Sequence, residues 1–277
     1  MESTGVVTGF DKFPSQLMEE TIYKVKSART LDFHPTKPWM VVTQADRFVH
    51  IWDYRAKGLK WPIEINGAKV TLAKFLAHQQ WVMAGTTGGS IHVYDCDSKE
   101  QKRVLHKHTK PIKSLAIHGT ESLVLSASMD GKILLWDYAG EDWNLRKTFD
   151  VKSQCLMQVA FDPKDTNMFA SAQDKTVKIW DRCQDDSQLT TILTGHSYQI
   201  ECLDYFSGGG DKPYMITGSR DKTAKIWDCK NASCVQTLEG HAGPVDIVCC
   251  HSGVVSILIT GCREDGSIRL WNSTDFR

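Results

Sequence analysis

Two sets of residues in the 277-residue chain combine the groups that acyl-transfer enzymes use. His108, Ser128 and Asp130 form one set, and His196, Ser219 and Asp221 form the other. A serine activated by a histidine base, itself oriented by an aspartate, attacks carbonyl carbon. Two features count against that chemistry. The sets recur at a long, regular interval, and each Asp is followed six residues later by a tryptophan, Trp136 or Trp227. An indole N–H can only donate, so a closed hydrogen-bond chain is the simpler use of these groups. No nucleophile–base pair stands outside the two sets. There is also no His-Glu-x-x-His and no nucleophile elbow. The expectation is a protein that is not an enzyme and needs no cofactor.

Other candidates for chemistry are weaker. Nine cysteines run from Cys96 to Cys262 without zinc-ligand spacing, so no metal site is expected. They read as buried thiols of a reducing compartment. The run Ser207-Gly208-Gly209-Gly210-Asp211-Lys212 lacks phosphate-loop spacing and a following hydroxyl residue, and reads as a long turn. Lys plus Arg is 33 and Asp plus Glu is 33, which argues against sequence-independent nucleic-acid binding. One local basic run spans Lys102, Arg103, Lys107, Lys110 and Lys113. It is either a solvated outer strand or a basic rim for an acidic partner. The N-terminus lacks the charged and apolar regions of a secretory signal, and no apolar run is long enough to span a bilayer. The expected location is cytoplasmic.

The elements that position these residues are repeats. An aromatic followed by Asp or Asn closes a β-rich stretch at Trp52, Tyr94, Trp136, Trp180, Trp227 and Trp271, in steps of 42, 42, 44, 47 and 44 residues. Six residues before the aromatic stands Asp46, Asp130, Asp174, Asp221 or Asp265; the second repeat has Gly88 there. Between them, segments such as Asp-Lys-Thr-Val-Lys-Ile-Trp alternate polar and apolar like a half-buried strand. The Asp therefore belongs to a tight turn, where it bonds its own backbone. A period in the forties with a terminal Trp-Asp predicts an all-β chain, a β-propeller of four-stranded blades stacked about an axis. Six repeats are visible. Six blades are favoured, with an incomplete seven-blade ring as the alternative. Residues 1–20 read as a disordered segment and 21–277 as a single propeller. Thr21–Val25 alternates correctly to supply a missing outer strand to the last blade.

These marks resemble the WD-repeat family. The resemblance implies a buried tetrad of His, Ser, Asp and Trp inside a blade, complete as His108, Ser128, Asp130, Trp136 and as His196, Ser219, Asp221, Trp227. Repeat four has Lys152 at the His place, and repeat six has Cys262 at the Ser place with one extra residue before Asp265. Those blades are expected to be held less tightly. A narrower likeness rests on Phe33-His34-Pro35-Thr36-Lys37-Pro38-Trp39, Pro163-Lys164-Asp165, Ser207–Tyr214 and Cys234–His241. From about Lys26 onward the chain resembles the N-terminal propeller of the coatomer beta-prime subunits of the COPI coat.

That resemblance implies a module of vesicle-mediated transport between Golgi and endoplasmic reticulum, peripheral on those membranes through partners. In the family the top face holds dilysine tails, with basic side chains on the terminal carboxylate and acidic ones on the lysines. Here the basic positions fall on Ser27, Arg29 and Thr71, and the acidic ones on Lys110 and Met129. The dilysine site is therefore expected to be lost. With Lys113, these residues form the candidate top-face site. The expected partners are proteins or peptides on that face, coatomer subunits or acidic peptides among them. Nucleic acid and direct membrane insertion are not expected. The alternative is a general WD-repeat scaffold, for example a substrate receptor of a ubiquitin ligase.

Overall fold

A computed structural model describes residues 28–276 except 77–78, 141, 154, 185–188, 208–212 and 253–255. Among the described residues, twenty-three strands fall into six antiparallel sheets. The first sheet joins β1 (Thr30–Phe33), β2 (Trp39–Thr43), β3 (Phe48–Asp53) and β4 (Gly58–Glu64). The second joins β5 (Val70–Leu76), β6 (Trp81–Thr86), β7 (Ser90–Asp95) and β8 (Gln101–His106). The third joins β9 (Ile112–Ile117), β10 (Leu123–Ser128), β11 (Lys132–Asp137) and β12 (Asn144–Asp150). The fourth joins β13 (Leu156–Phe161), β14 (Met168–Gln173), β15 (Thr176–Asp181) and β16 (Leu189–Thr194). The fifth joins β17 (Ile200–Ser207), β18 (Pro213–Ser219), β19 (Ala224–Asp228) and β20 (Ser233–Leu238). The sixth has three strands, β21 (Ile247–Ser252), β22 (Ser256–Cys262) and β23 (Ser267–Asn272). These are the six blades of a β-propeller. The Thr21–Val25 strand and the disordered 1–20 segment expected from the sequence lie outside the described residues.

Each blade follows from local chemistry. Strand alternation sends Val177 and Ile179 to buried positions and leaves Lys178 half-buried between them. The repeat Asp closes the turn before the third strand: Asp46, Asp130, Asp221 and Asp265 each accept the N–H of the residue two further on, at 2.8–3.0 Å. Asp174 adopts a left-handed φ of 47°.

Blades are stitched at their inner strands, the first strand of each sheet. A side chain on one inner strand accepts a backbone N–H from the next. Asp32 takes that of Phe75 at 2.9 Å, Ser114 that of Val159 at 3.2 Å, Gln158 that of Leu203 at 3.2 Å and Asp204 that of Cys250 at 3.0 Å. Burial pushes the Asp32 and Asp204 carboxyls above their usual range. Apolar residues on the opposite face of the receiving strand complete each seam. Ala73, Leu115, Val159 and Leu203 share one register position and are at most 2 % exposed.

The flank between the sixth and first blades differs. Leu31, at the same register position, is 54 % exposed, and Phe33 beside it is similarly open. Ile268 is 75 % exposed, whereas its counterparts Val49, Ile91, Ile133, Val177 and Ala224 are buried opposite Ile63, Leu105, Phe149, Leu193 and Leu238.

Cysteine burial also departs from expectation. All nine thiols are free, but Cys155, Cys183, Cys234 and Cys249 are exposed. They sit in connecting turns, on an outer strand and on the open flank, where no second sheet covers them. The described residues contain no helix long and apolar enough to cross a membrane.

Candidate functional site

The hydrogen-bond chains come first, because they hold the blades that carry the surface. In the third blade His108 Nδ1 meets Asp130 at 2.9 Å, and its Nε2 meets Ser126 Oγ at 2.8 Å. The Trp136 indole donates to the same Ser126 oxygen at 2.9 Å. The fifth blade repeats this with His196, Asp221, Thr217 and Trp227. The bridging hydroxyls are thus Ser126 and Thr217, which corrects the assignment of Ser128 and Ser219. Those two serines end their strands and support the turn instead. Ser128 receives the Asp130 N–H and donates to the Lys110 carbonyl; Ser219 does the same with Asp221 and Tyr198. The indole reaches mid-strand, one side-chain repeat short of the turn.

Burial holds His108 and His196 below the ordinary imidazole range. For Asp130 and Asp221 burial acts upward, but hydrogen bonds together with the facing imidazole outweigh it, and both carboxyls sit low.

The sixth blade carries a chain the sequence reading missed. His241 Nε2 meets Thr260 Oγ1 at 2.8 Å, and the Trp271 indole donates to that oxygen at 2.9 Å. Its His–Asp contact is longer, 3.4 Å to Asp265, with Ser267 Oγ at 2.9 Å. Cys262 lies beside this group and accepts the Asp265 N–H. The ligand atoms of His241, Cys262 and Asp265 lie within 4.8 Å of one another. Backbone and hydroxyl hydrogen bonds already engage both Asp265 oxygens and both His241 nitrogens. In the fourth blade Lys152 leaves no imidazole; Trp180 donates to Ser171 alone, and Ser153 takes over the Asp174 carboxylate. The second blade, with Gly88 for Asp, uses Thr86, Ser90 and His92.

The candidate binding surface forms where the inner strands begin. In the second to fifth blades each inner strand opens with an irregularity in register. The extra residue is Thr71, Lys113, Met157 or Glu201. A bulge re-aims one side chain, here one per blade around the ring's mouth. Arg29 and Asp246 stand at the same level in the first and sixth blades. Arg29, Thr71, Lys113 and Met129 line one depression of about 530 Å³, together with Thr87, Pro111 and Arg263. Four of the six predicted residues therefore meet. Lys110 is exposed on the loop ahead of β9, outside that lining, and Ser27 lies outside the described residues.

Charge divides the mouth. Arg29 and Lys113 enter it without an acidic partner among the described residues. The acids at this level are already matched: Glu201 pairs with Arg220, and Asp246 with Arg263 at 3.3 Å. Arg263 is the site residue that sequence reasoning missed. It lies in the turn with one extra residue, and that insertion was the available signal. The basic run is split, because Lys102 and Arg103 lie on the outer strand β8 and pair with Glu100 and Asp142.

Comparison with known proteins agrees with the fold. The family model described as WD domain, G-beta repeat matches residues 22–53, 99–137, 143–181, 187–228 and 232–272. The chain is 41 % identical over 237 residues to coatomer subunit beta'-2 of Arabidopsis thaliana, covering 85 % of this chain and 25 % of that protein. It is 37 % identical over 250 residues to coatomer subunit beta' of Rattus norvegicus, covering 90 % and 27 %. It is 44 % identical over 193 residues to putative coatomer subunit beta'-3 of Oryza sativa subsp. japonica, covering 69 % and 21 %. The chain thus spans about a quarter of the length of the curated relatives it matches. Its matched repeats and its six Trp- or Tyr-ended blades make it a member of the WD domain, G-beta repeat family, with a propeller of the coatomer beta-prime kind.

Proposed function

We propose that this chain is a non-catalytic protein-binding propeller acting in COPI vesicle-mediated transport between Golgi and endoplasmic reticulum. It works in the cytoplasm and reaches membranes through coat partners. The observation that carries the binding half is the depression at the mouth, where Arg29 and Lys113 have no acidic partner among the described residues while Glu201 and Asp246 are neutralised. Similarity to coatomer beta-prime subunits supports the coat half.

A site with this balance favours acidic peptides over dilysine tails. Two cations about 4 Å apart repel by roughly 1 kcal/mol in water and more in a partly dry pocket. The expectation that the dilysine site is lost is kept on this ground. Titration with an acidic and a dilysine peptide tests it. The acidic peptide is expected to bind at least tenfold tighter, and Arg29→Glu with Lys113→Glu to abolish the difference. Micromolar dilysine binding through the mouth would sink the reading. Co-purification separates the coat assignment from a general scaffold: coatomer subunits support the former, and a stable ubiquitin-ligase complex without them supports the latter.

A further inference from the structure

Among the described residues, one group of three side chains gathers a mixed set of metal-ligand atoms. His241, Cys262 and Asp265 bring an imidazole, a thiol and a carboxylate within 4.8 Å of one another. His241 stands on the loop ahead of β21, and Cys262 and Asp265 frame the turn between β22 and β23. The third and fifth blades offer no such set. Ser128 and Ser219 stand two residues after the bridging hydroxyl, as Cys262 does. Their hydroxyls are committed to the Lys110 and Tyr198 carbonyls. A thiol in that place is a softer ligand, and imidazole, thiolate and carboxylate together are the donors of zinc sites. The three residues are spread over two connections, so no short motif announces them.

Distance separates this group from the other two chains. His108 and His196 meet their carboxylates at 2.9 and 2.7 Å, directly hydrogen-bonded and too close to share an ion. In the sixth blade, where one extra residue precedes Asp265, the same contact is 3.4 Å. Bonds of about 2.0–2.3 Å at the tetrahedral angle set neighbouring ligand atoms about 3.3–3.6 Å apart. The hydrogen bonds already present suit the ion. Thr260 Oγ1, at 2.8 Å, accepts Nε2–H in the tautomer that turns the Nδ1 lone pair toward Ser267 and Asp265. The Ser267 hydroxyl, at 2.9 Å, donates to that lone pair until an ion takes it. Each Asp265 oxygen accepts one backbone N–H, of Ala242 or of Ser267, and keeps a second lone pair.

We propose that the sixth blade binds a zinc ion through His241 Nδ1, the Cys262 thiolate and the Asp265 carboxylate, with water as the fourth ligand. Thiolate and carboxylate together balance the charge of the ion. The neighbouring arginines are engaged elsewhere, Arg263 with Asp246 and Arg269 with the Gly240 carbonyl at 2.8 Å. The fourth position falls on the side where Glu264 and Asp265 are exposed. On binding, the thiol proton leaves to solvent, so affinity weakens as pH falls. The ion ties the loop that enters β21 to the turn between β22 and β23. Arg263 lies between two of the ligands and lines the mouth, so occupancy fixes the turn that presents it. Metal binding itself does not depend on the proposed ligand at the mouth.

Cobalt is the probe, because a thiolate ligand gives it a near-ultraviolet charge-transfer band. The full chain, freed of metal by a chelator, is titrated with Co2+ and then with Zn2+. The band is expected to saturate at a single equivalent, and zinc to displace it. Excess Zn2+ is expected to raise the melting temperature by about 5 °C, and Mg2+ to leave it unchanged. Cys262→Ser is expected to abolish both the band and the zinc shift without moving the metal-free melt; if it melts early, Cys262→Ala replaces it. Asp265→Asn is expected to weaken zinc binding by roughly tenfold or more. A chain carrying Cys155→Ser, Cys183→Ser, Cys234→Ser and Cys249→Ser together is expected to keep the band, which separates this site from the exposed thiols. A band that survives loss of Cys262, or that disappears with the four exposed thiols, overturns the proposal. The absence of a saturable band, or an equal melting shift with Mg2+, overturns it as well.

Discussion

At the seam between the fourth and fifth blades, Leu203 is sealed beneath a neighbouring sheet, and its N–H is received by Gln158. At the flank between the sixth and first blades, Leu31 has the same residue type and register, yet solvent reaches more than half of it. Burying such a side chain stabilises a fold by about 1.5–3 kcal/mol. The first and sixth blades therefore forgo that gain on one side each. Both regions obey the same sequence pattern; the difference is made entirely by whether another sheet stands opposite.

The sharpest way to break this comparison is to place a charge at both positions. Leu203→Asp is expected to cost about 4 kcal/mol or more, because an unpaired carboxylate is then buried in a closed seam. Leu31→Asp is expected to stay within about 0.5 kcal/mol in the monomer. Urea denaturation measures both, and equal losses would show that the flank is closed in solution.

A smaller effect is expected inside the blades. Thr217→Val strips the oxygen shared by His196 and Trp227 and leaves two buried groups unpaired, at about 2–3 kcal/mol. Ser171→Ala in the fourth blade, where only Trp180 loses a partner, is expected to cost about half as much. Chemical denaturation that ranks them the other way would count against the shared-oxygen account.

The pH dependence follows from the buried imidazoles. Burial holds His108 and His196 below their unfolded range, so the unfolded chain takes up protons first as pH falls. The stability they contribute is complete above the ordinary histidine pKa, near 6.5, and is lost as pH falls from there through the lower folded values. Melting temperature is expected to drop between pH 7.5 and 5.5. His196→Gln is expected to lower stability at pH 7.5 but to flatten the slope. An unchanged slope would place the titration elsewhere.

The smallest effect is expected at Cys262→Ser. The thiol accepts the Asp265 N–H, and Thr260 bridges His241 and Trp271 without it. A change within about 0.5 kcal/mol is expected, and a larger loss in a thermal melt would show that the thiol does more than support its turn.

Much of this was legible in the linear sequence, and the reason is range. The turn Asp acts over two residues and strand alternation over two, so Asp46, Asp130, Asp221 and Asp265 announce the turn and third strand of their blades without a partner segment. Five repeats carry this Asp and all six carry the closing Trp or Tyr, and together these marks determine six blades. Other features needed the folded ring. Ser126 and Ser128 lie on the same strand face, so alternation cannot tell which of them the Trp136 indole reaches. The mouth gathers Arg29, Thr71, Lys113 and Arg263 from four blades, and Arg263 meets the others only because the ring brings its sixth blade back beside the first. Exposure of Leu31 and Ile268 was likewise a tertiary outcome, since burial belongs to the strand or sheet that stands alongside and not to the residue itself.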